Sequence, residues 1–488
     1  MGILLLIPIL FPMLAGIPVF WIHDKKIRRI YVSIMVVINA LIVYGFAFLP
    51  DTSLTVWTIT DNLAVKFQQD GLSRFFSCLI ASVWALVTFY AFEYIQHDGA
   101  EERYLAIYTM TMGVLIGLSY SANLATLYMF YELMTFITVP LVIHSRTKEA
   151  ISAGLKYLGF SVFGAGLALI GFFFLQSYSV ADITFMPGGI LDMTKVAGNE
   201  GAVLAVTFVT VIGFGCKAGM LPLQAWLPTA HPVAPAPASA VLSGIITKGG
   251  VLAIIRVVYY MVGPDMLRGT WVQYTLLILA MCTVFVGSML AFKEKLLKKR
   301  LAYSSVSQVS YVLFGLFLFT PEGFLGALLQ VVFHAVAKNI LFLSAGSIIY
   351  MTHKTRVDEL RGIGKQMPIV MWCFTLASLS LIGIPPASGF FSKWFLATGA
   401  ITPEFGALGY VGAATLMVSA LLTAGYLLPI VKDAFFPGKD FDYPRLKKKE
   451  PSPLMTVPLI ILSVAVIGLG MFPNGLVLAI NNICGAIL

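Results

Sequence analysis

Apolar stretches long enough to cross a bilayer recur along the whole chain. They fall near 3–22, 30–49, 71–92, 103–120, 123–143, 150–176, 201–227, 238–262, 271–292, 302–320, 323–351, 367–398, 406–431 and 453–480. At 1.5 Å per residue, about 20 apolar residues cover the roughly 30 Å of hydrocarbon. Fourteen such runs predict an all-α polytopic membrane protein. Two of them, 201–227 and 367–398, are too long for one straight helix and contain proline, Pro222 in the first and Pro385 with Pro386 in the second. Proline removes a backbone donor, and lipid offers no replacement bond, so a helix broken at membrane depth must line a cavity or be wrapped in protein. Both runs are expected to be discontinuous helices.

Composition agrees. The 488 residues are 59% hydrophobic and 11% charged, with mean hydropathy +0.89, against about 25% charged residues in an ordinary soluble domain. Cys78, Cys216, Cys282, Cys373 and Cys484 form no CxxC pair, so neither a disulfide framework nor a metal cluster is indicated. The start, Met-Gly-Ile-Leu-Leu-Leu, has no basic n-region and no Ser or Thr at position six; it reads as a retained first span rather than a signal peptide or myristoylation site.

Loop charges set the orientation. Loops after odd-numbered spans carry 22 of the 32 Lys and Arg, and loops on the other side carry three, Lys66, Lys195 and Arg268. By the positive-inside rule both termini lie outside. Most of the +9 net charge is thereby topology, and no nucleic-acid surface is called for.

Seven cations remain inside the spans: Arg74, Lys156, Lys217, Lys248, Arg256, Lys338 and Lys393. The single clear carboxylate with them is Glu132, near the middle of the fifth span. An ionised group at the centre of a membrane helix costs about 2.5–3.5 kcal/mol or more, so such residues face a polar interior and have a task. A carboxylate and a lysine sharing that interior balance mutual attraction against lost hydration. A group in that balance can switch between charged and neutral, as a proton relay needs.

Blander readings apply to some of them. Arg74 and Lys156 lie within about two turns of a span end and can snorkel to the interface. Arg256 is either a relay or helix-pairing residue or an outer-face anchor. His334 and Lys338, four apart, share one helix face, and with no second histidine spaced to join it His334 is a poor metal or haem ligand. His231, in the proline-rich stretch between the seventh and eighth spans, is open between a helix-end hydrogen bond and a proton relay near the water interface. Ser304, Ser307, Gln308 and Ser310 of the tenth span either wet a channel or bond helix to helix. Glycines at 154, 159, 164, 166 and 171 read as sites of close helix packing.

An internal echo is present. Lys217 stands just before the break in the seventh span, and Lys393 just after the break in the twelfth. The halves are five spans apart, and an odd number puts the two copies in opposite membrane orientation, the inverted-repeat plan of secondary transporters.

The runs FGCKAGMLPLQAWLPTAHPVAPAPASAVLSGIITKGGVLAIIR and GIPPASGFFSKW resemble the antiporter-like subunits shared by respiratory complex I, Mrp-type cation/proton antiporters and membrane-bound hydrogenases. The resemblance covers about the whole chain. It implies fourteen helices with two inverted five-helix repeats, helices 4–8 within 103–262 and helices 9–13 within 271–431, flanked by an N-terminal part (1–102) and a last helix (453–488). It also implies a central hydrophilic axis along which protons move. By position, Glu132, Lys217, Lys248 and Lys393 match the family's charged residues on helices five, seven, eight and twelve, and His334 with Lys338 matches the polar pair linking the halves. Where the M-like subunit of complex I has glutamate on helix twelve, this chain has Lys393, which is more similar to the D-like Mrp subunit or its hydrogenase counterpart. The chain ends just after the fourteenth span, leaving no sequence for the long lateral helix of L-like and A-like subunits.

Three classes of function stand at this point: a proton- or cation-translocating subunit of a multi-subunit prokaryotic membrane complex, a quinone- or haem-holding redox subunit, and a structural spacer whose buried charges specify packing. Paired histidines, CxxC and nucleotide motifs are missing from the sequence, so no cofactor is expected. The expected partners are other membrane subunits, protons and Na+ or K+.

Overall fold

A computed structural model describes residues 2–60, 63–96, 98–180, 183–438, 441 and 449–488. Helices fall in each expected stretch, and eleven among the described residues are long and apolar enough to cross a membrane. The fourth, tenth and twelfth stretches are the more polar or interrupted ones. Glu101–Tyr120 opens with Glu101, Glu102 and Arg103, Leu297–Phe317 opens with Lys298, Lys299 and Arg300, and the twelfth is divided into Pro368–Ile382 and Gly389–Ala400. Of the cations counted in the loop after the thirteenth stretch, Lys439, Arg445, Lys447 and Lys448 lie outside the described residues.

Several helices begin where a side chain takes up an orphan N–H. Asp24, Asp70, Asn123, Thr147 and Thr320 each accept a bond from the backbone three residues on. The eighth helix, Ala236–Val262, and the eleventh, Pro321–Thr352, are buried all round and form the core, while the first, second and thirteenth leave much of their surface to lipid. The eighth is not a regular α-helix. It widens to i→i+5 turns at Leu242–Ile246 and again at Arg256–Val262, a distortion that frequently marks a functional site.

Both predicted breaks are present, and glycine sets where they begin. The helix Glu200–Ala218 stops at Gly219 (φ +81°), three residues before Pro222, and Met220 N–H returns to the Gly215 carbonyl at 2.9 Å. Helix resumes at Leu227–Val233. In the twelfth, Pro368–Ile382 stops at Gly383 (φ +95°), whose N–H bonds Leu379 O at 2.9 Å. Only glycine enters this left-handed region cheaply; the prolines then keep the following residues from rejoining the helix.

Two features depart from the expected pattern. Residues 453–480 are not one span: Pro453–Met471 ends at the edge of Pro473, and a second helix, Asn474–Ile487, follows, as the conformational restriction before proline requires. This last helix buries Ile480, Ile483, Cys484 and Ile487 and exposes Asn481 and Asn482. Between the second and third helices, Thr52–Thr60 pairs antiparallel with Leu63–Gln69, Thr52 opposite Gln69. The run TSLTVWTIT is rich in the β-branched residues that favour strands.

Candidate functional site

Lys217 lies in the last turn of its half-helix, fully buried. Its Nζ donates to Thr135 Oγ1 at 2.8 Å, Tyr157 OH at 2.9 Å and Ser161 Oγ at 3.0 Å. An ammonium has three N–H groups, and all three are used. The ring of Tyr157 also lies below the charge, 4.5 Å from Nζ to centroid. Gly250 of the eighth helix makes this packing possible, since a Cβ there would meet Phe214 O at 2.8 Å and Lys217 Cβ at 3.1 Å. The anionic partner expected from the sequence is not used. Glu132 is half-buried with Oε2 unpartnered, and no ion pair joins it to Lys217 among the described residues. Thr135, one turn along from Glu132 on the same helix, takes that place.

Lys248 and His334, 86 residues apart, are brought into direct contact, Nζ to Nδ1 at 2.5 Å. One proton lies between the two nitrogens, so one of them donates and the other must present a lone pair. Lys248 Nζ also donates to the Ser243 carbonyl at 2.7 Å, an oxygen of the widened turn. Ser243 Oγ meets Ser305 Oγ at 2.6 Å. Lys338, one turn beyond His334, donates to Leu301 O at 3.0 Å.

Polar contacts continue toward the second break. Gln330 Nε2 donates to Gln308 Oε1 at 2.8 Å, and Ser392 Oγ donates to Gln330 Oε1 at 2.6 Å. The next residue, Lys393, has a buried Nζ with no hydrogen-bond partner among the described residues, 5.4 Å from the Tyr311 ring centroid. Ser307 is not part of this row. It joins a separate buried triangle with Ser288 (2.8 Å) and Ser419 (3.2 Å), a contact that ties helices.

The remaining candidates find different places. Arg256 is fully buried and forked onto Asp70, with Nη1 at 2.6 Å and Nη2 at 2.9 Å, while its guanidinium stacks 4.6 Å from the Tyr260 centroid. Burial pushes the Asp70 carboxyl up, and the Arg256 guanidinium more than offsets it, so the group lies below the usual carboxylate range. Arg256 thus ties the eighth helix to the start of the third. His231 lies within the helix Leu227–Val233 rather than in a loop, fully buried, stacked on Phe342 at 4.7 Å with both ring nitrogens unpartnered among the described residues. Lys156 is exposed, in keeping with snorkelling. Arg74 pairs with Asp51 at 2.6 Å.

Lys298 and Arg300, counted among the loop cations, are buried. Lys298 Nζ donates to Pro232 O at 3.3 Å and to Ala234 O, carbonyls at the C-terminal end of His231's helix, where a cation satisfies groups that helix leaves orphaned. Arg300 donates to Glu294 O at 2.7 Å and Tyr426 O at 2.9 Å. Thr135, Tyr157, Ser161, Lys298 and Asp70 are the site residues that sequence reasoning missed. None of these stood out locally in the sequence.

Residues 121–423 match the family described as NADH:quinone oxidoreductase/Mrp antiporter, TM. Over 427 residues the chain is 33% identical to NADH-quinone oxidoreductase subunit N of Desulforudis audaxviator, spanning 83% of this chain and 81% of that one. It is 29% identical over 445 residues to the Na(+)/H(+) antiporter D-subunit of Alkalihalophilus pseudofirmus, spanning 89% and 87%. In fold it superposes on a chain of the Mrp complex from Dietzia sp. with a TM-score of 0.84 at 19% identity, over 99% of this chain and 97% of that one. With that extent of match to the family and a helical architecture shared end to end, the chain is a member of the NADH:quinone oxidoreductase/Mrp antiporter membrane family.

Proposed function

We propose that this chain is a proton- or cation-translocating subunit of a multi-subunit membrane complex in a prokaryotic plasma membrane. The reading closest to the sequence is a D-like subunit of an Mrp-type Na+ or K+/H+ antiporter; the proton-pumping subunit of a complex I or of a membrane-bound hydrogenase is the alternative, favoured by the 33% identity to a subunit N. The observation that carries the proposal is the row of buried lysines, in which Lys217 is held by hydroxyls, Lys248 by an imidazole and a backbone carbonyl, Lys338 by a backbone carbonyl and Lys393 by no hydrogen bond among the described residues, and none by a carboxylate. Fixed ion pairs hold charge; neutral partners let it move. Glu132 and His334 belong to the same row, with His231 and Gln308 beside it. Five-helix halves at 103–262 and 271–431 with opposite orientation, and both termini on the outer side, complete the reading.

The test is transport by the assembled complex in vesicles. Lys217→Ala is expected to abolish proton-coupled transport, and Glu132→Gln to reduce it severely. Lys217→Arg is the sharper variant, because it keeps the charge while a guanidinium does not release its proton. Transport surviving in assembled Lys217→Arg means that Lys217 supplies fixed charge only, and full activity in all three variants removes it from the mechanism.

A further inference from the structure

A cleft of about 830 Å³ lies apart from the lysine row, floored by the third and eleventh helices and walled by Tyr44 of the second and by the last helix, Asn474–Ile487. Its two ends differ in chemistry. At one end stand Asp51, Asp70 and Arg74, and along its length run Phe75, Leu79 and Ile483.

Its depth follows from the helices that line it. Ser82 is eleven residues beyond Gly71, and Val332 eleven beyond Pro321, so each lies about 16 Å below its helix start at 1.5 Å per residue. The two starts are level, because adjacent residues of the last helix touch both: a Cβ on Gly71 would meet Ile483 Cγ1 at 3.0 Å, and Cys484 Sγ lies 3.9 Å from Pro321 O. The cleft therefore runs from the helix ends to a depth of about one leaflet, half of the roughly 30 Å hydrocarbon core.

The charged end is balanced. Arg74 uses Nη2 on Leu49 O at 2.7 Å and on Asp51 Oδ1 at 2.6 Å, and its side chain remains 24% exposed. The side chain of Asp51 is 71% exposed. Asp70 is neutralised by Arg256. A partly exposed guanidinium beside an exposed carboxylate, with no net charge, complements a phosphate next to an ammonium. The apolar walls below match an acyl chain. The geometry points to a bound phospholipid with a primary-amine headgroup, its phosphate on Arg74, its ammonium on Asp51 and one acyl chain along Phe75, Leu79 and Ile483. This site is independent of the translocation reading.

Native mass spectrometry of the full-length protein after detergent washing tests it. Wild type is expected to retain one phosphatidylethanolamine per chain in preference to phosphatidylglycerol. Arg74→Gln, which removes a charge-assisted contact, is expected to lower retention about tenfold or more, and Ala479→Trp, which fills the cleft, to abolish it. Cys78, which lines the cleft, gives a readout that needs no variant. Its reaction with N-ethylmaleimide, followed by peptide mapping, is expected to speed on delipidation and slow again when phosphatidylethanolamine is returned. Equal retention in Arg74→Gln, preference for phosphatidylglycerol or a quinone, or protection of Cys78 by a partner subunit rather than by lipid each overturns the proposal.

Discussion

Tyr157→Phe isolates one hydroxyl of the Lys217 cage. The ring stays, and with it the contact to the ammonium 4.5 Å from the centroid. Thr138, the other partner of this hydroxyl at 2.7 Å, keeps its bond to Met134 O at 2.7 Å, so no second orphan is created. What is lost is one of three acceptors on a fully buried charge. A hydrogen bond to a charged group contributes about 1.5–3 kcal/mol, and about 1.4 kcal/mol is a factor of ten. Any step that requires protonated Lys217 is therefore expected to slow about 10- to 100-fold. Thr135→Val removes a second acceptor at nearly constant volume and should fall in the same range, with the double variant slower than either. Dye-reported proton uptake by vesicles containing the assembled complex measures this. Wild-type uptake in assembled Tyr157→Phe refutes the claim that the hydroxyls hold the charge.

Three further outcomes are expected. Asp70→Asn strands Arg256 as a buried uncompensated cation, a loss on the order of 3 kcal/mol, so thermal unfolding of the variant should begin lower, with most of the loss restored in Asp70→Asn/Arg256→Gln; an unchanged melting curve contradicts the pairing. Pro385→Ala with Pro386→Ala should impair translocation more than assembly, and normal transport would reduce these prolines to packing. A cysteine replacing Lys295, which is exposed while Lys298 and Arg300 are not, should be labelled from the cytoplasmic side and one near Asp192 from outside; the reverse pattern overturns the orientation.

The spans, both breaks and the lysines of the row were legible because each violates a strong rule: 20 apolar residues in a row, a proline inside a helix, a charge in hydrocarbon. The partners were not legible. Thr109, Thr111, Thr135 and Thr138 all bond back to carbonyls four residues earlier on their own helices, the default for a helical hydroxyl, and nothing local marks Thr135 as the one that also accepts from Lys217. Asp70 meets Arg256 across 186 residues, and its position just before an apolar run reads equally well as an N-cap, which it also is. Lys298 looked solvated because the rule that counts loop cations is blind to which of them fold inward.

The two lysines at the breaks are not equivalent stations, and the backbone shows why. Lys217 sits one residue from the carbonyl end of Glu200–Ala218, whereas Lys393 follows the N–H end of Gly389–Ala400. Aligned peptide dipoles make the first end partially negative and the second partially positive, an effect of about 0.3–1 kcal/mol that reaches roughly 2 kcal/mol in partly buried geometries. The hydroxyls act in the same direction, three on Lys217 and none on Lys393 among the described residues. In this conformation a positive charge is held at the first break and unsupported at the second. Between them, Lys248 and His334 are in hydrogen-bond contact, and the Gln308–Gln330–Ser392 chain ends one residue short of Lys393. On the proposed reading, moving charge along the row calls for rearrangement at the second break, where Gly383 leaves room against Lys393 Cδ that any Cβ would take, at 2.8 Å. On the proposed translocation reading, such a row is loaded at one end and gated at the other by the same kind of broken helix.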